Sequence, residues 1–298
     1  MNSIKRIHHI SAIGGHPQET VNFYQNVLDL KLVKQTVNFD DTGVYHLYFA
    51  GKDGEPITSM TFFSWIGKDE AEKGSGQVGR IAFKIPKNTL DYWKNRLEEH
   101  DVDFEITDTF GKETLEFSDV HNIDLALVEG DQEESKPGIL GFYGTVILSK
   151  SPEKSAENLT DILGLKPIEG NDDYLFFQTT GKEANVILIK RDPLERQFLG
   201  VSTVHHVAFA VEDDKELEDY AKKLDQHNYR HTEWKDRNYF HSIYYREPGT
   251  VMFELATNGP GFTVDEPLDA LGQEIQIPPF YEDRRDELTK DLPILKLD

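Results

Sequence analysis

Apolar residues fall along this chain in two rhythms. Short runs of four or five end in turn residues, and longer stretches repeat every three or four positions. The first rhythm predicts strands and the second amphipathic helices. Ile81-Ala82-Phe83-Lys84-Ile85 and Val207-Ala208-Phe209-Ala210-Val211 are near copies at an offset of 126 residues. A helix pattern follows each, and in the later copy Leu217, Tyr220, Ala221 and Leu224 form its apolar face. A second pair sets residues 17–33 against 152–168 at an offset of 135, with Pro17 on Pro152, Leu28 on Leu163, Leu30 on Leu165 and Lys31 on Lys166. Both stretches begin with proline, which suits the first helical position because no amide donor is needed there. His16 reads as a cap-region residue for the first helix and Ser151 as the N-cap of the second. Val21, Tyr24, Val27 and Leu28 recur at helical spacing and predict one buried stripe. Runs rich in aromatic and β-branched residues at 46–49, 59–63, 174–177, 186–189, 242–245 and 251–254 predict further strands.

These repeats divide the chain into four modules that begin near residues 5, 78, 141 and 203, each a strand, a helix and then two or three strands. Helices separated by runs of hairpin strands predict an α+β architecture. The polar run Asp131-Gln132-Glu133-Glu134-Ser135-Lys136-Pro137-Gly138 predicts a linker over 131–140, which separates a unit at 5–130 from one at 141–258. Residues 259–298 lie outside the repeat. Their prolines and aromatics, Ile277-Pro278-Pro279-Phe280-Tyr281, precede the charged run 282–287 and predict a tail packed on the body before a short polar helix. Covering a cavity mouth, plain surface packing and a contact in a homo-oligomer are all open to it.

Composition narrows the chemistry. A formal net charge of -22 argues against nucleic acid and anionic membranes as partners. No apolar run approaches the length of a membrane span, and the N-terminus has no signal-like apolar core, so a cytoplasmic protein is expected. With no cysteine, disulfides, zinc ribbons and thiolate catalysis are excluded, and any metal must be held by imidazole and oxygen.

Such ligands stand out. Two histidine doublets, His8-His9 and His205-His206, each open a short apolar strand, and Glu254 ends a third strand in Phe253-Glu254-Leu255. Two imidazoles and one carboxylate make a facial set for a divalent metal and leave coordination positions free for substrate and O₂. Neighbouring strand residues face opposite sides, so one member of each doublet is expected to point into a cavity and the other away. The scattered histidines His16, His46, His100, His121, His227 and His231 have no partner carboxylate at metal spacing and are assigned no role. His241 reads as a half-buried core residue or a proton carrier.

The segments IHHISAI, VHHVAFAV and REPGTVMFELAT, with their four-module setting, resemble the vicinal oxygen chelate (glyoxalase/extradiol dioxygenase) superfamily. Within it they resemble the branch of ring-cleaving dioxygenases that open hydroquinones and catechols. The resemblance spans about residues 5–258. It implies four βαβββ modules paired into two vicinal-oxygen-chelate domains with a C-terminal extension. It also implies non-haem Fe(II) held by His9, His206 and Glu254, although Mn(II) suits the same ligands. The substrates implied are a small aromatic diol and O₂, both of whose atoms enter the opened ring. The family pattern of histidine followed by apolar-x-apolar selects His9 and His206, leaving His8 and His205 as neighbours that orient ligands or substrate. Tyr244, ten residues before Glu254, matches a family tyrosine that hydrogen-bonds a substrate oxygen; the plain alternative is an ordinary strand tyrosine beside Tyr245. Arg237, seventeen residues before Glu254, matches an arginine of hydroquinone-cleaving relatives that would neutralise an oxyanion; the alternative is a surface arginine in a polar run.

The repeat tests this ligand set. His9, Arg80, Gly144 and His206 occupy equivalent first-strand positions, and the module 2 counterpart of Glu254 falls near Ala126, allowing for insertions and deletions. Modules 1 and 4 therefore supply two imidazoles and a carboxylate, whereas modules 3 and 2 supply Gly144, Arg80 and Ala126, which cannot bind a cation. One metal per chain is expected, with Arg80 filling the empty counterpart against a nearby carboxylate. Two rival readings remain. A glyoxalase-type isomerase or lyase would usually need a fourth protein ligand, often a second glutamate, and the repeat-equivalent positions offer none. A metal-free, drug-sequestering protein of the same fold would have no use for the ligands.

Overall fold

The computed structural model describes residues 3–51 and 59–297. Module 1 comprises β1 (Ile7–Gly14), α1 (Pro17–Asn22), β2 (Lys31–Val37), β3 (Tyr45–Ala50) and β4 (Ser59–Ser64). Module 2 comprises β5 (Gln77–Ile85), α2 (Leu90–Glu99), β6 (Phe104–Thr107), β7 (Thr114–Ser118) and β8 (Asp124–Glu129). In module 3 these become β9 (Gly141–Leu148), α3 (Pro152–Glu157), β10 (Lys166–Ile168), β11 (Tyr174–Gln178) and β12 (Val186–Lys190). Module 4 has β13 (Thr203–Val211), α4 (Asp214–Gln226), β14 (Lys235–Asp236), β15 (Phe240–Arg246) and β16 (Met252–Pro260), and α5 (Arg285–Thr289) lies in the tail. The fold is α+β, built from four βαβββ modules.

The repeat extends to local irregularities. Helices α1 and α3 both run on into a π-helical turn, Phe23–Val27 in one and Asn158–Ile162 in the other. His16 caps α1 by accepting the Gln18 amide at 3.2 Å. Ser151 stands at the N-cap position of α3 but makes no capping bond, contrary to expectation; its amide instead donates to Ser149 Oγ at 2.8 Å.

Strand pairing crosses the midpoint of the chain. One run of strands is β2-β3-β4-β1-β13-β16-β15-β14, uniting modules 1 and 4; the other is β10-β11-β12-β9-β5-β8-β7-β6, uniting modules 3 and 2. The two runs meet through the single pair Val204↔Val78. Alternation along each strand divides the faces. Ile7, Ile10, Ala12, Val207, Phe209 and Leu255 pack with Tyr24, Leu28 and Leu217 from the helical layers. The opposite face of the module 1–4 run carries His9, His206 and Glu254. The same face of the module 2–3 run is filled by Ala82, Ala126, Val146, Leu148, Phe176, Val186 and Leu188.

The tail is fastened to module 1. Lys34, fully buried on β2, bonds the Phe262 carbonyl, Asp265 Oδ1 at 2.5 Å and the Glu266 carboxylate. The Gln276 amide donates to the Gln35 carbonyl at 2.8 Å, and Tyr281 Oη donates to the Phe39 carbonyl at 3.1 Å.

Candidate metal centre

β1 and β13 run antiparallel at the centre of the module 1–4 run, and β16 lies parallel to β13 with Glu254 beside Ala208. This brings three side chains from three strands to one point. His9 Nε2 and His206 Nε2 lie 3.1 Å apart, and Glu254 Oε2 is 3.1 Å from the first and 2.8 Å from the second. All three residues are buried, Glu254 completely. They are the one group of three or more histidine, aspartate or glutamate side chains among the described residues that could hold a metal ion.

The expectation that each doublet sends one ring in and one away fails for a local reason. The β1–β13 register slips between Ile7 and His9, and again opposite His205, where Ser11↔His206 is followed by Ala12↔Val204. Each doublet therefore sits at a β-bulge, which breaks the two-residue alternation. His8 Nδ1 reaches His9 Nδ1 at 2.8 Å, and His205 Nδ1 reaches His206 Nδ1 at 2.7 Å. His8 Nε2 lies 3.1 Å from the Thr257 carbonyl, which can only accept. Nε2 of His8 must then carry the proton, Nδ1 of neutral His8 accepts, and His9 donates from Nδ1. That leaves a lone pair on His9 Nε2, the atom turned toward Glu254. Burial holds His8 well below the ordinary imidazole pKa and takes His205 down to about 3, so both are neutral near pH 7.

The donor set fits a divalent cation. Neither oxygen of the buried Glu254 carboxylate meets a well-placed hydrogen-bond donor among the described residues. Burial alone would raise the Glu254 pKa; only positive charge at the His9 and His206 nitrogens, or a cation in its place, takes the carboxyl well below its usual range. An ionised carboxylate and an imidazole lone pair within 3.1 Å, away from water, require a positive partner.

Tyr244 and Arg237 both reach the centre. Tyr244 pairs with Glu254 across the β15–β16 ladder, and its ring sits edge-on to His206 with centroids 5.6 Å apart. Burial, reinforced by Glu254, pushes the Tyr244 phenol well up, so it stays protonated. Arg237 donates from Nε to Tyr244 Oη at 3.2 Å, places its guanidinium 5.1 Å from the tyrosine ring centre, and is held by Asp40 Oδ2 at 2.7 Å. It is thus a pocket residue and not a surface arginine. His241 is elsewhere: half-buried, bonded to Asp214 at 2.6 Å and packed at a tilt against Trp234.

Two cavities adjoin these residues. A small inner recess is lined by His9, His46, Tyr48, Phe63, Phe240 and Tyr244, among others. A chamber of about 670 Å³ opens outside it and shares Asn38, Asp40, Phe63, His206, Arg237 and Tyr244 with the recess. His46, to which the sequence assigned no role, belongs to this site. It is buried, with Nε2 3.0 Å from Thr61 Oγ1 and Nδ1 3.0 Å from Tyr48 Oη, and Thr61 continues to Ser11 at 2.7 Å. The register shows a correspondence for its partners Thr61 and Tyr48, though not for His46 itself. Aligning β1 with β13 sets Thr61 opposite Ser11 where Glu254 is opposite Ala208, and Tyr48 pairs with Thr61 as Tyr244 pairs with Glu254.

That register also moves the place where a fourth ligand would stand. It is Thr61, in the same run of strands as the triad, and not Gly144, Arg80 or Ala126. Threonine is not a carboxylate, and its hydroxyl is already shared with Ser11 and His46. Arg80 pairs with Glu116 at 2.8 Å in the module 2–3 run. A side chain at Gly144 would run into the Val186 carbonyl.

Comparison with known proteins agrees with this geometry. A family model, the Glyoxalase/Bleomycin resistance protein/Dioxygenase superfamily, matches residues 6–125 and 143–255. A Bacillus subtilis (strain 168) protein named "Putative ring-cleaving dioxygenase MhqO" is 40% identical over 296 residues, covering 96% of this chain and 95% of its own. The chlorohydroquinone/hydroquinone 1,2-dioxygenase of Sphingobium indicum is 30% identical over 316 residues, covering 97% and 96%. A crystal structure from Bacillus subtilis, of a protein likewise designated only provisionally as a dioxygenase, superposes with TM-score 0.95 at 39% identity, covering 100% of this chain and 99% of that one. Glyoxalase I of Zea mays shares the fold alone, with TM-score 0.65 at 13% identity, over 85% of this chain and 92% of its own.

Proposed function

The chain belongs to the glyoxalase/bleomycin resistance protein/dioxygenase superfamily, and from that premise we propose that it is a non-haem Fe(II) dioxygenase that cleaves the ring of a hydroquinone or catechol. The observation that carries this reading is the convergence of His9, His206 and Glu254 beside an open chamber, with Thr61 where a fourth ligand would stand. Three protein ligands leave positions for substrate and O₂, whereas a closed four-ligand set suits the isomerase alternative. Full-length similarity to a hydroquinone 1,2-dioxygenase supports the same choice.

When bound, Fe(II) supplies the electron relay that lets O₂ react with an aromatic ring. The residues of the chain do the rest. His8 fixes the His9 tautomer, and His205 holds the His206 ring through the contact between their Nδ1 atoms. Tyr244, kept protonated by burial, donates its proton toward a substrate oxygen. Arg237 stands behind that phenol as a permanent charge and disperses oxyanion charge at the ring. Phe63 and Phe240 exclude water beside the triad. His46, between Thr61 and Tyr48, is a further candidate to hold a proton at the inner end of the recess.

The test is anaerobic reconstitution with Fe(II), addition of hydroquinones and catechols, and admission of O₂. One O₂ consumed per diol, with a ring-opened product, is expected. No uptake with any diol by protein holding one iron per chain would overturn the reading. Reconstitution with Mn(II) in parallel decides between the two metals.

A further inference from the structure

The chain carries 54 acidic residues against 32 basic ones, yet the chamber outside the metal centre reverses that sign. Its lining holds the permanent cations Arg230, Lys235, Arg237 and Arg246 against one carboxylate, Asp40. Asp40 is taken by Arg237 at 2.7 Å. Arg230, Lys235 and Arg246 have no carboxylate within ion-pair distance among the described residues. Where surface carboxylates are this plentiful, unpaired cations gathered at one cavity are a local arrangement and not a consequence of composition.

The chamber also has a shape. About 670 Å³ is the scale of a pocket for a drug-sized ligand, and a bare one-ring diol at the metal leaves much of it empty. Phe63, Trp65 and Met252 give it apolar wall, and the cations line it with them. The Arg246 guanidinium is oriented, with Nη1 donating to the Thr250 carbonyl at 2.7 Å and its remaining N–H groups left for a ligand. Burial and the neighbouring charge of Arg196 lower the Arg246 pKa, and an anion would relieve that repulsion.

We infer that this chamber is a subsite for an anionic substituent, a carboxylate in the first instance, carried by the aromatic diol. Arg246 and Arg230 receive the anion, with Lys235 beside them. The inference rests on the dioxygenase reading for the diol and on the chamber itself for the anion. A lining that is net positive also draws anionic substrates toward the mouth of an otherwise acidic protein.

The test uses the full chain loaded with Fe(II) and two probes, hydroquinone-acetic acid and its methyl ester. The acid is expected to show kcat/KM about 10-fold above the ester, carried in KM, as one charge-assisted contact provides. In the double variant Arg230→Gln/Arg246→Gln the acid-to-ester ratio falls to about one, and added salt erodes the ratio in the wild type. Equal kcat/KM for acid and ester in the wild type, or an unchanged ratio in the double variant, overturns the subsite while O₂ uptake leaves the dioxygenase reading standing. If neither probe consumes O₂, the dioxygenase reading stands or falls on the wider panel of diols, and calorimetry with para-hydroxyphenylacetic acid and its methyl ester decides the subsite. Preferential binding of the acid, lost in the double variant, supports it; equal binding overturns it.

Discussion

The module 1–4 and module 2–3 runs of strands share one backbone plan and differ in what they hold. His9 lies opposite Ala208, which sits beside Glu254; in the other run Gly144 lies opposite Ala82, which sits beside Ala126. The bulges recur too. His8 and His205 are the extra residues in one run, and Tyr143 and Gly79 stand at the matching slips in the other. Even the cross-strand neighbour is retained in place and changed in kind, Tyr244 by Glu254 and Glu116 by Ala126. The candidate metal centre is thus not a property of the fold. The fold supplies a bulged, register-locked frame twice, and a few side chains decide whether it becomes a cation site or an apolar core closed by an Arg80–Glu116 pair.

The sharpest way to break this contrast is to remove the carboxylate from the frame that carries the triad. Glu254→Ala is expected to take the iron content of reconstituted protein from one per chain to near zero, measured by elemental analysis. Stoichiometric iron in that variant would sink the ligand assignment. A smaller effect comes from the bulge. His8→Phe leaves the three ligands in place but removes the group that fixes the His9 tautomer, and iron affinity should fall roughly 10- to 100-fold in chelator competition.

The empty frame should respond in stability alone. Arg80→Ala strands the mostly buried Glu116 carboxylate, and unfolding by urea is expected to show a loss of about 1–2 kcal/mol, discounted because Arg80 is partly solvated. Iron content should not change. Replacing both partners, Arg80→Met with Glu116→Leu, should recover most of the loss, because no unpaired charge remains.

The mildest test is pH. His8, His46, His205 and His206 all belong to the module 1–4 run, and burial lowers each of their pKa values. A histidine kept neutral in the folded state binds a proton in the unfolded chain below about pH 6.5. Metal-free protein should therefore lose stability as pH falls from about 6.5, with His205 contributing until its folded value of about 3 is reached. A metal-free melting temperature that is flat between pH 7 and pH 5 would contradict this, with the range set by the ordinary histidine value of about 6.5.

Much of this was legible before any coordinates. The offsets of 126 and 135 placed four modules, and first-strand β5 and β13 fall in the matched segments. With the ligand set the resemblance implies, they also set modules 1 and 4 against modules 3 and 2 at the candidate site and put the counterpart of Glu254 near Ala126, the residue that strand pairing gives. Arg80 was expected to meet a carboxylate, and it meets Glu116. Less visible were the bulges, since an extra residue in a strand leaves no mark on composition, and alternation by twos then misdirects His8 and His205. His46 was invisible as an isolated histidine. It gains a role only once β3 and β4 set it against Thr61 and Tyr48. The buried Lys34, a residue that composition would put in water, depends on Asp265 and Glu266 arriving from the tail.

By itself, then, the sequence determined which residue types were available and how often the pattern repeats. Without cysteine, a metal had to be held by imidazole and carboxylate, and with glycine and alanine at two of three equivalent positions one frame could never bind it. Those are matters of covalent identity, and folding cannot alter them. Only the tertiary structure decided which atoms meet. Strand register and bulges fix side-chain direction to within a hydrogen bond, and they arise from pairing between strands nearly two hundred residues apart, as in His9 and His206. The tautomer of His9, the station of Thr61 and the cationic wall of the chamber all follow from that pairing.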